Sequence, residues 1–160
     1  MFFLMFGYAM AAENPFRSEV RIKDFNANQG HIEVVILVPE GFHLYKDMMW
    51  VKPTPQPHLK FADAIFPKGV FLPDPANPER YREHFDKTLS IDLPVQILEN
   101  GVYQTSLEVR YQGCKAGLCY RPVVDRHEIT LRSNHPIPQP SPQPQKQSFW
   151  SWLIAYLAWI

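Results

Sequence analysis

The short, evenly spaced apolar runs between about Glu13 and Arg132 limit the folds open to this chain more than any other feature. HIEVVILVPEG places β-branched Ile32, Val34, Val35, Ile36 and Val38 before a Pro39-Glu40-Gly41 turn. FHLYKDMMWV follows, then the proline-punctuated KPTPQP, then HLKFADAIF. LSIDLPVQIL alternates Leu89, Ile91 and Leu93 with Ser90, Asp92 and Pro94, and TSLEVRYQ puts Leu107, Val109 and Tyr111 on one face. Between these two runs, Glu99-Asn100-Gly101 predicts a hairpin turn, because Asn-Gly accepts positive φ. Strands at roughly ten-residue spacing, with no long amphipathic helix, predict an all-β sandwich. Only PERYREHF, residues 78 to 85, reads as a helical turn. Met48, Met49 and Trp50 end one of the strand-like runs and are expected in the core, not on a soft metal.

With 160 residues and 46% hydrophobic side chains, the chain can bury one core of ordinary size, so one domain is expected over residues 13–134. Sixteen basic and sixteen acidic side chains are interspersed, which leaves no long-range field to gather nucleic acid or acidic lipid. Nucleic acid is therefore excluded as a partner.

The two ends differ in character from this middle. Residues 1–12 form an apolar run that closes on Ala9-Met10-Ala11, the small-x-small pattern of a signal peptide or its remnant. A buried strand is the other reading of that run. Residues 135–147 carry PIPQPSPQP, a polyproline spacer rather than an SH3-type ligand. Residues 148–160, with Trp150 and Trp152 among Leu and Ile, read as the start of a truncated transmembrane helix, or else as a terminal helix docked on the core. Export would place the chain where cysteine pairs oxidise.

The chain has two cysteines, Cys114 and Cys119, in YQGCKAGLCY. Strand-like TSLEVRYQ precedes them and RPVVDRHEITL follows, so both sulfurs are expected at the closed end of a hairpin. Facing residues there lie about 5.5 Å apart at Cα, within disulfide reach. Gly113 and Gly117 supply backbone freedom for the crossing. As a staple the bond would contribute at most about 2 kcal/mol, because the ring it closes is so short. Zinc needs four ligands, and His127 and His135 fall outside any finger spacing, so no metal is expected. The Cys-x-x-Cys spacing and helix of a thioredoxin site are absent as well. Two readings stay open: a labile bond that exchanges with thiols, and a passive bridge in an exported immunoglobulin-like binding or adhesion module.

At these residues the chain resembles a known family, the amino-terminal periplasmic domain of the thiol:disulfide interchange protein DsbD. Tyr111-Gln112-Gly113-Cys114 and Cys119-Tyr120-Arg121-Pro122 are similar to its cysteine segment, with a spacing one residue shorter here. Gly41-Phe42-His43-Leu44-Tyr45-Lys46-Asp47 is similar to its aromatic Gly-Tyr-Tyr-Leu-Tyr segment, and Pro67-Lys68-Gly69-Val70 and Leu93-Pro94-Val95 follow in the expected order. The resemblance spans roughly residues 15 to 132.

The resemblance implies an immunoglobulin-like β-sandwich with a redox-active hairpin under a cap loop. The implied activity is that of a thiol:disulfide oxidoreductase without cofactor. It would work in the periplasm, anchored to the inner membrane through the carboxyl-terminal segment of a larger protein. The implied donor is a thioredoxin-like domain; the implied recipients are periplasmic disulfide isomerases and the thioredoxin-like proteins of cytochrome c maturation. Cys114 and Cys119 carry the chemistry, and Cys119 is the sulfur that meets the partner. Tyr45, His43, Tyr111 and Tyr120 are expected to shield the pair, with plain strand-aromatic packing as the other reading of the three tyrosines. Phe71 and Tyr81 are the ring candidates of a cap in residues 71 to 85, with Asp74, Glu79 and Glu83 as proton carriers. Lys115 and Arg121 are expected either to stabilise a thiolate or to be solvated surface charges.

Overall fold

Alternation and β-branching translate into strands along almost the whole middle of the chain. The computed structural model describes residues 14–26, 28–74 and 77–133. The segments read as signal peptide, proline-rich spacer and membrane helix lie outside the described residues. Among those described, no helix is long and apolar enough to cross a membrane.

Two sheets face each other across the core. One takes β1 (Arg17–Asn26), β2 (Gln29–Leu37), β8 (Leu89–Ile97) and β5 (Leu59–Phe61), in the order β1-β2-β8-β5. The other takes β12 (Val123–Arg132), β9 (Val102–Tyr111) and β4 (Trp50–Pro53), in the order β12-β9-β4. Inward residues of β2, β8, β9 and β12 fill the space between: Ile32, Val34 and Ile36; Leu89, Ile91, Leu93, Val95 and Ile97; Leu107, Val109 and Tyr111; Ile129 and Leu131. The expected all-β sandwich is therefore the observed one, and the alternation read from β8 and β9 matches their buried faces. Met49 is buried in this core, and Met48 and Trp50 are half-buried.

A third sheet grows from one end of the sandwich and carries the cysteines. Its order is β11-β10-β3-β7-β6, from β11 (Leu118–Cys119), β10 (Gly113–Lys115), β3 (His43–Tyr45), β7 (Asn77–Phe85) and β6 (Val70–Asp74). β9 runs into β10 after Gln112 alone, and β3 leads through a 3-10 turn at Lys46–Met48 into β4. The third sheet is thus built from strand extensions of the sandwich. The Pro39-Glu40-Gly41 turn forms as expected and delivers β3, with Phe42 N–H donating to the Pro39 carbonyl at 3.1 Å.

Two local expectations are corrected. Residues 78 to 85 are not a helical turn; they lie in β7, antiparallel to β6 on one side and β3 on the other. Glu99-Asn100-Gly101 does not close a hairpin. β8 pairs with β2 and β5, whereas β9 pairs with β12 and β4, so this turn passes the chain from one sheet to the other. Gly101 and Ser133 lock the crossing. Gly101 N–H donates to Ser133 Oγ at 3.0 Å, and Ser133 N–H to the Gly101 carbonyl at 3.1 Å.

Candidate functional site

The sequence between the cysteines folds as the tightest hairpin a chain can make. Ala116 and Gly117 both have positive φ, 49° and 80°, and stand between the paired residues Lys115 and Leu118, the pattern of a type I′ two-residue turn. Cys114 faces Cys119 as the next pair down, and Tyr120 N–H donates to the Gly113 carbonyl at 2.9 Å below that. The cysteines therefore occupy the close, non-hydrogen-bonded position of the ladder. Their Cα atoms lie 4.0 Å apart, shorter than the wider spacing expected from sequence, and the sulfurs are joined. Gly117 serves the turn as expected, but Gly113 serves packing: a Cβ there would run into the ring of Phe16.

The two sulfurs have unlike surroundings. Cys114 is 2% exposed, whereas Cys119 lies on the exposed edge strand β11, next to Leu118 at 78% exposure. An incoming group meets Cys119 first. Under the hairpin, Phe16, Phe42, Tyr111 and Tyr120 form one aromatic cluster, with Phe16 centroids 5.5, 6.3 and 6.1 Å from the other three. Tyr120 is thus a packing ring beneath the turn. Tyr111 is fully buried and gives its hydroxyl to Asp125 Oδ2 at 2.8 Å. Burial, with the Asp125 carboxylate beside it, pushes the Tyr111 hydroxyl well above the usual range, so it stays protonated.

Strand register decides which other side chains share the face of Cys114. Cys114 stands opposite His43, Tyr45 opposite His84, and His84 opposite Val70. Since alternate residues share a face, His43, Tyr45, His84, Arg82 and Leu72 follow Cys114 across the sheet. Ring contacts agree: His43 lies edge-on to Tyr45 at 5.0 Å and to His84 at 5.9 Å, and the Arg82 guanidinium stacks 3.8 Å from the Tyr45 centroid. Burial, with repulsion between its cationic form and the neighbouring His84 and Arg82, lowers the His43 pKa, so its imidazole is neutral near pH 7. Burial works against the Arg82 charge, but Asp47, 2.6 Å away, and Asp74 more than offset it. His84 and Arg82 were missed in the sequence. Their alternate spacing signals a shared strand face, but only once residues 78 to 85 are read as a strand.

The same register places Phe71 and Tyr81 on the opposite face, with Leu44 and Phe85. They are 57% and 62% exposed, on an outlying β6–β7 arm. The expected cap loop is accordingly a two-stranded arm. Glu83 also lies on that face, where Lys46 Nζ bonds it at 2.7 Å and Gly69 N–H at 2.8 Å, and both hold its carboxyl below the usual range. Asp74 pairs with Arg82 at 3.7 Å, and Glu79 is exposed. Lys115 extends over the Phe42 ring, 4.6 Å from its centroid, on the side away from Cys114, and Arg121 is exposed. Among the described residues, no group of three or more His, Cys, Asp or Glu is placed to hold a metal.

Residues 12–131 match the family model described as thiol:disulfide interchange protein DsbD, N-terminal. The DsbD protein of Citrobacter koseri is 33% identical over 102 residues, which is 62% of this chain and 16% of that protein. Its counterpart in Salmonella typhimurium is 32% identical over a stretch of the same length and the same shares. The chain thus spans about 16% of the length of these curated relatives. Among solved structures, the reduced N-terminal domain of Neisseria meningitidis DsbD superposes with a TM-score of 0.53 at 20% identity, covering 71% of this chain and 86% of that one. The structure of a complex between the N. meningitidis DsbD and PilB N-terminal domains gives 0.56 at 19% identity, covering 80% and 95%. At such identities the likeness is one of fold, the immunoglobulin-like β-sandwich. With the family model matched along most of its length, the chain belongs to the family of DsbD N-terminal domains.

Proposed function

We propose that residues 13–134 form a periplasmic thiol–disulfide exchange domain that passes reducing equivalents to partner proteins through Cys114 and Cys119. The observation that carries this reading is the asymmetry of the pair: an exposed Cys119 bonded to a Cys114 that is 2% exposed. A short-loop bond with one open sulfur is the labile kind. A partner thiolate attacks Cys119 Sγ, a mixed disulfide forms, Cys114 leaves as thiolate, and a second partner thiol resolves the adduct. In the other direction Cys119 attacks a partner disulfide and Cys114 resolves it. We read the donor as a thioredoxin-like domain of the same larger protein, and the recipients as disulfide isomerases and cytochrome c maturation proteins of the periplasm. The proline-rich spacer would then link the domain to an inner-membrane anchor. The family's interchange activity supports this, and the N. meningitidis complex supports a protein as the exchange partner.

A trapping experiment tests it. A Cys114→Ala chain should hold a thioredoxin-like domain lacking its own resolving cysteine as a stable mixed disulfide at Cys119. Cys119→Ala should trap far less, because Cys114 is shielded. No adduct with either variant overturns the proposal. So does a wild-type bond that stays oxidised against thiol buffers poised below about −300 mV, the behaviour of a structural bridge.

A further inference from the structure

The proposed exchange leaves one proton unaccounted for, and its route is written in the strand register. When Cys114 resolves a mixed disulfide at Cys119, it must first lose its thiol proton, yet at 2% exposure it has almost no contact with water. An unperturbed thiol near pH 7 is only a few per cent thiolate, and burial reduces that further. We propose that His43 is the proton acceptor for Cys114 in this step. The inference rests on the exchange function proposed above and adds a catalytic base to it.

His43 stands directly across the β10–β3 ladder from Cys114, on the same sheet face. The position does not depend on the disulfide, because the backbone pairing of β10 with β3, Gly113 opposite Leu44 and Cys114 opposite His43, sets the register. His43 is half-buried and lines an open cavity with Glu40, His84, Asp86, Lys87 and Thr88, so a proton taken from the buried thiol can leave to water. The groups facing His43 keep its imidazole unprotonated and ready to accept. Burial, His84 and Arg82 all disfavour its cationic form, and Arg82 is held by Asp47 and Asp74. Tyr45 lies edge-on to it, and Lys46 is occupied by Glu83.

Other candidates point elsewhere. Lys115 rests on Phe42, Glu83 is bonded on the opposite face, and the Tyr111 hydroxyl is given to Asp125. His84 stands one strand further from Cys114 than His43 does.

The step balances as follows. The Cys114 proton moves to the His43 imidazole, and Cys114 sulfur attacks Cys119 Sγ. The bond from Cys119 to the partner sulfur breaks while the Cys114–Cys119 bond forms. The partner sulfur leaves with the electron pair as a thiolate, and the His43 imidazolium returns its proton to that thiolate or to water in the cavity.

The test uses the full chain, reduced, with the aromatic disulfide 5,5′-dithiobis(2-nitrobenzoate) as probe. Attack by Cys119 releases one coloured thiolate in a bimolecular phase, and resolution by Cys114 releases the second in a concentration-independent phase. In wild type the second phase should rise as His43 loses its proton below about pH 6.5 and then level off. In His43→Gln it should be at least about tenfold slower at pH 6.5 and climb with the thiol's own ionisation up to pH 8 and above. His43→Tyr keeps an aromatic ring without the base and should behave like His43→Gln. An unchanged first phase in either variant shows that the hairpin is intact, and His43→Tyr carries the test should His43→Gln fail to fold. Variant pH profiles that superpose on wild type overturn the inference while leaving the exchange function standing. A wild-type chain that releases no coloured thiolate overturns the exchange function itself.

Discussion

At Gly113 there is no room for a side chain, because Phe16 is wedged beneath it among Phe42, Tyr111 and Tyr120. Gly113→Ala should therefore lower stability by about 1–3 kcal/mol, read as a shift of the urea midpoint. Adding Phe16→Leu should return part of that loss through coupling between the two sites. If Gly113→Ala leaves the midpoint unmoved, the close approach is not what fixes the hairpin base. Legibility at this scale divides along the same line. Cys114 and Cys119 are visible because chemistry marks them, and the resemblance brings in His43 and Tyr45. That His43 faces Cys114 is set by pairing between strands some seventy residues apart, which no local pattern encodes. Period-two geometry likewise sends Phe71 and Tyr81 to the far face while Arg82 and His84 join the near one.

The β6–β7 arm shows why one element was misread. Its residues Glu79, Arg80, Arg82 and Glu83 are good helix formers, but Tyr81, Glu83 and Phe85 alternate against Arg80, Arg82 and His84, and pairing on both sides overrides propensity. Side chains reinforce the pairing. Lys46 bonds Glu83 and Asp47 bonds Arg82, so the 3-10 turn clamps both faces of β7. Because the folded arm holds the Glu83 pKa below its unfolded value, the clamp contributes fully above the unfolded pKa of about 4.3 and fades as pH falls through the folded value. Amides of β6 and β7 should thus lose hydrogen-exchange protection on acidification from pH 6 to 3, ahead of β2 and β8. Glu83→Gln should show weaker protection at pH 6 and a flatter response to acid. A flat response in wild type would mean that the carboxylate contributes nothing to holding the arm.

At the scale of the whole molecule, the alternation of β2, β8 and β9 made the sandwich legible, but the way its edge closes was not. Ser18 near the start of β1 and Asp125 and His127 in β12 meet from opposite sheets. Ser18 Oγ donates to Asp125 Oδ2 at 2.5 Å and lies 2.7 Å from His127 Nε2, while Tyr111 from β9 donates to the same Asp125 oxygen at 2.8 Å. One carboxylate therefore joins three strands of two sheets. The arrangement has the residue types of a hydrolytic triad, yet the serine stands between histidine and aspartate, so the aspartate does not orient the imidazole as a base, and the cluster reads as a structural tie. Asp125→Ala would remove the carboxylate acceptor of the buried Tyr111 hydroxyl and leave it the Ser18 side chain and a long 3.5 Å contact to the Phe16 carbonyl. The expected cost is about 1–3 kcal/mol, seen as a lower urea midpoint. It should be accompanied by early loss of amide protection along β1, because few other contacts hold that edge strand to β12. Asp125→Asn keeps an acceptor for one hydroxyl and should fall between the two. Since Tyr111 leads through Gln112 directly into the cysteine hairpin, the thiol reactivity of Cys119 is the discriminating control. If it changes in parallel with the midpoint, the tie also positions the cysteine pair; if β1 loosens while Cys119 reacts as before, it serves the sandwich alone.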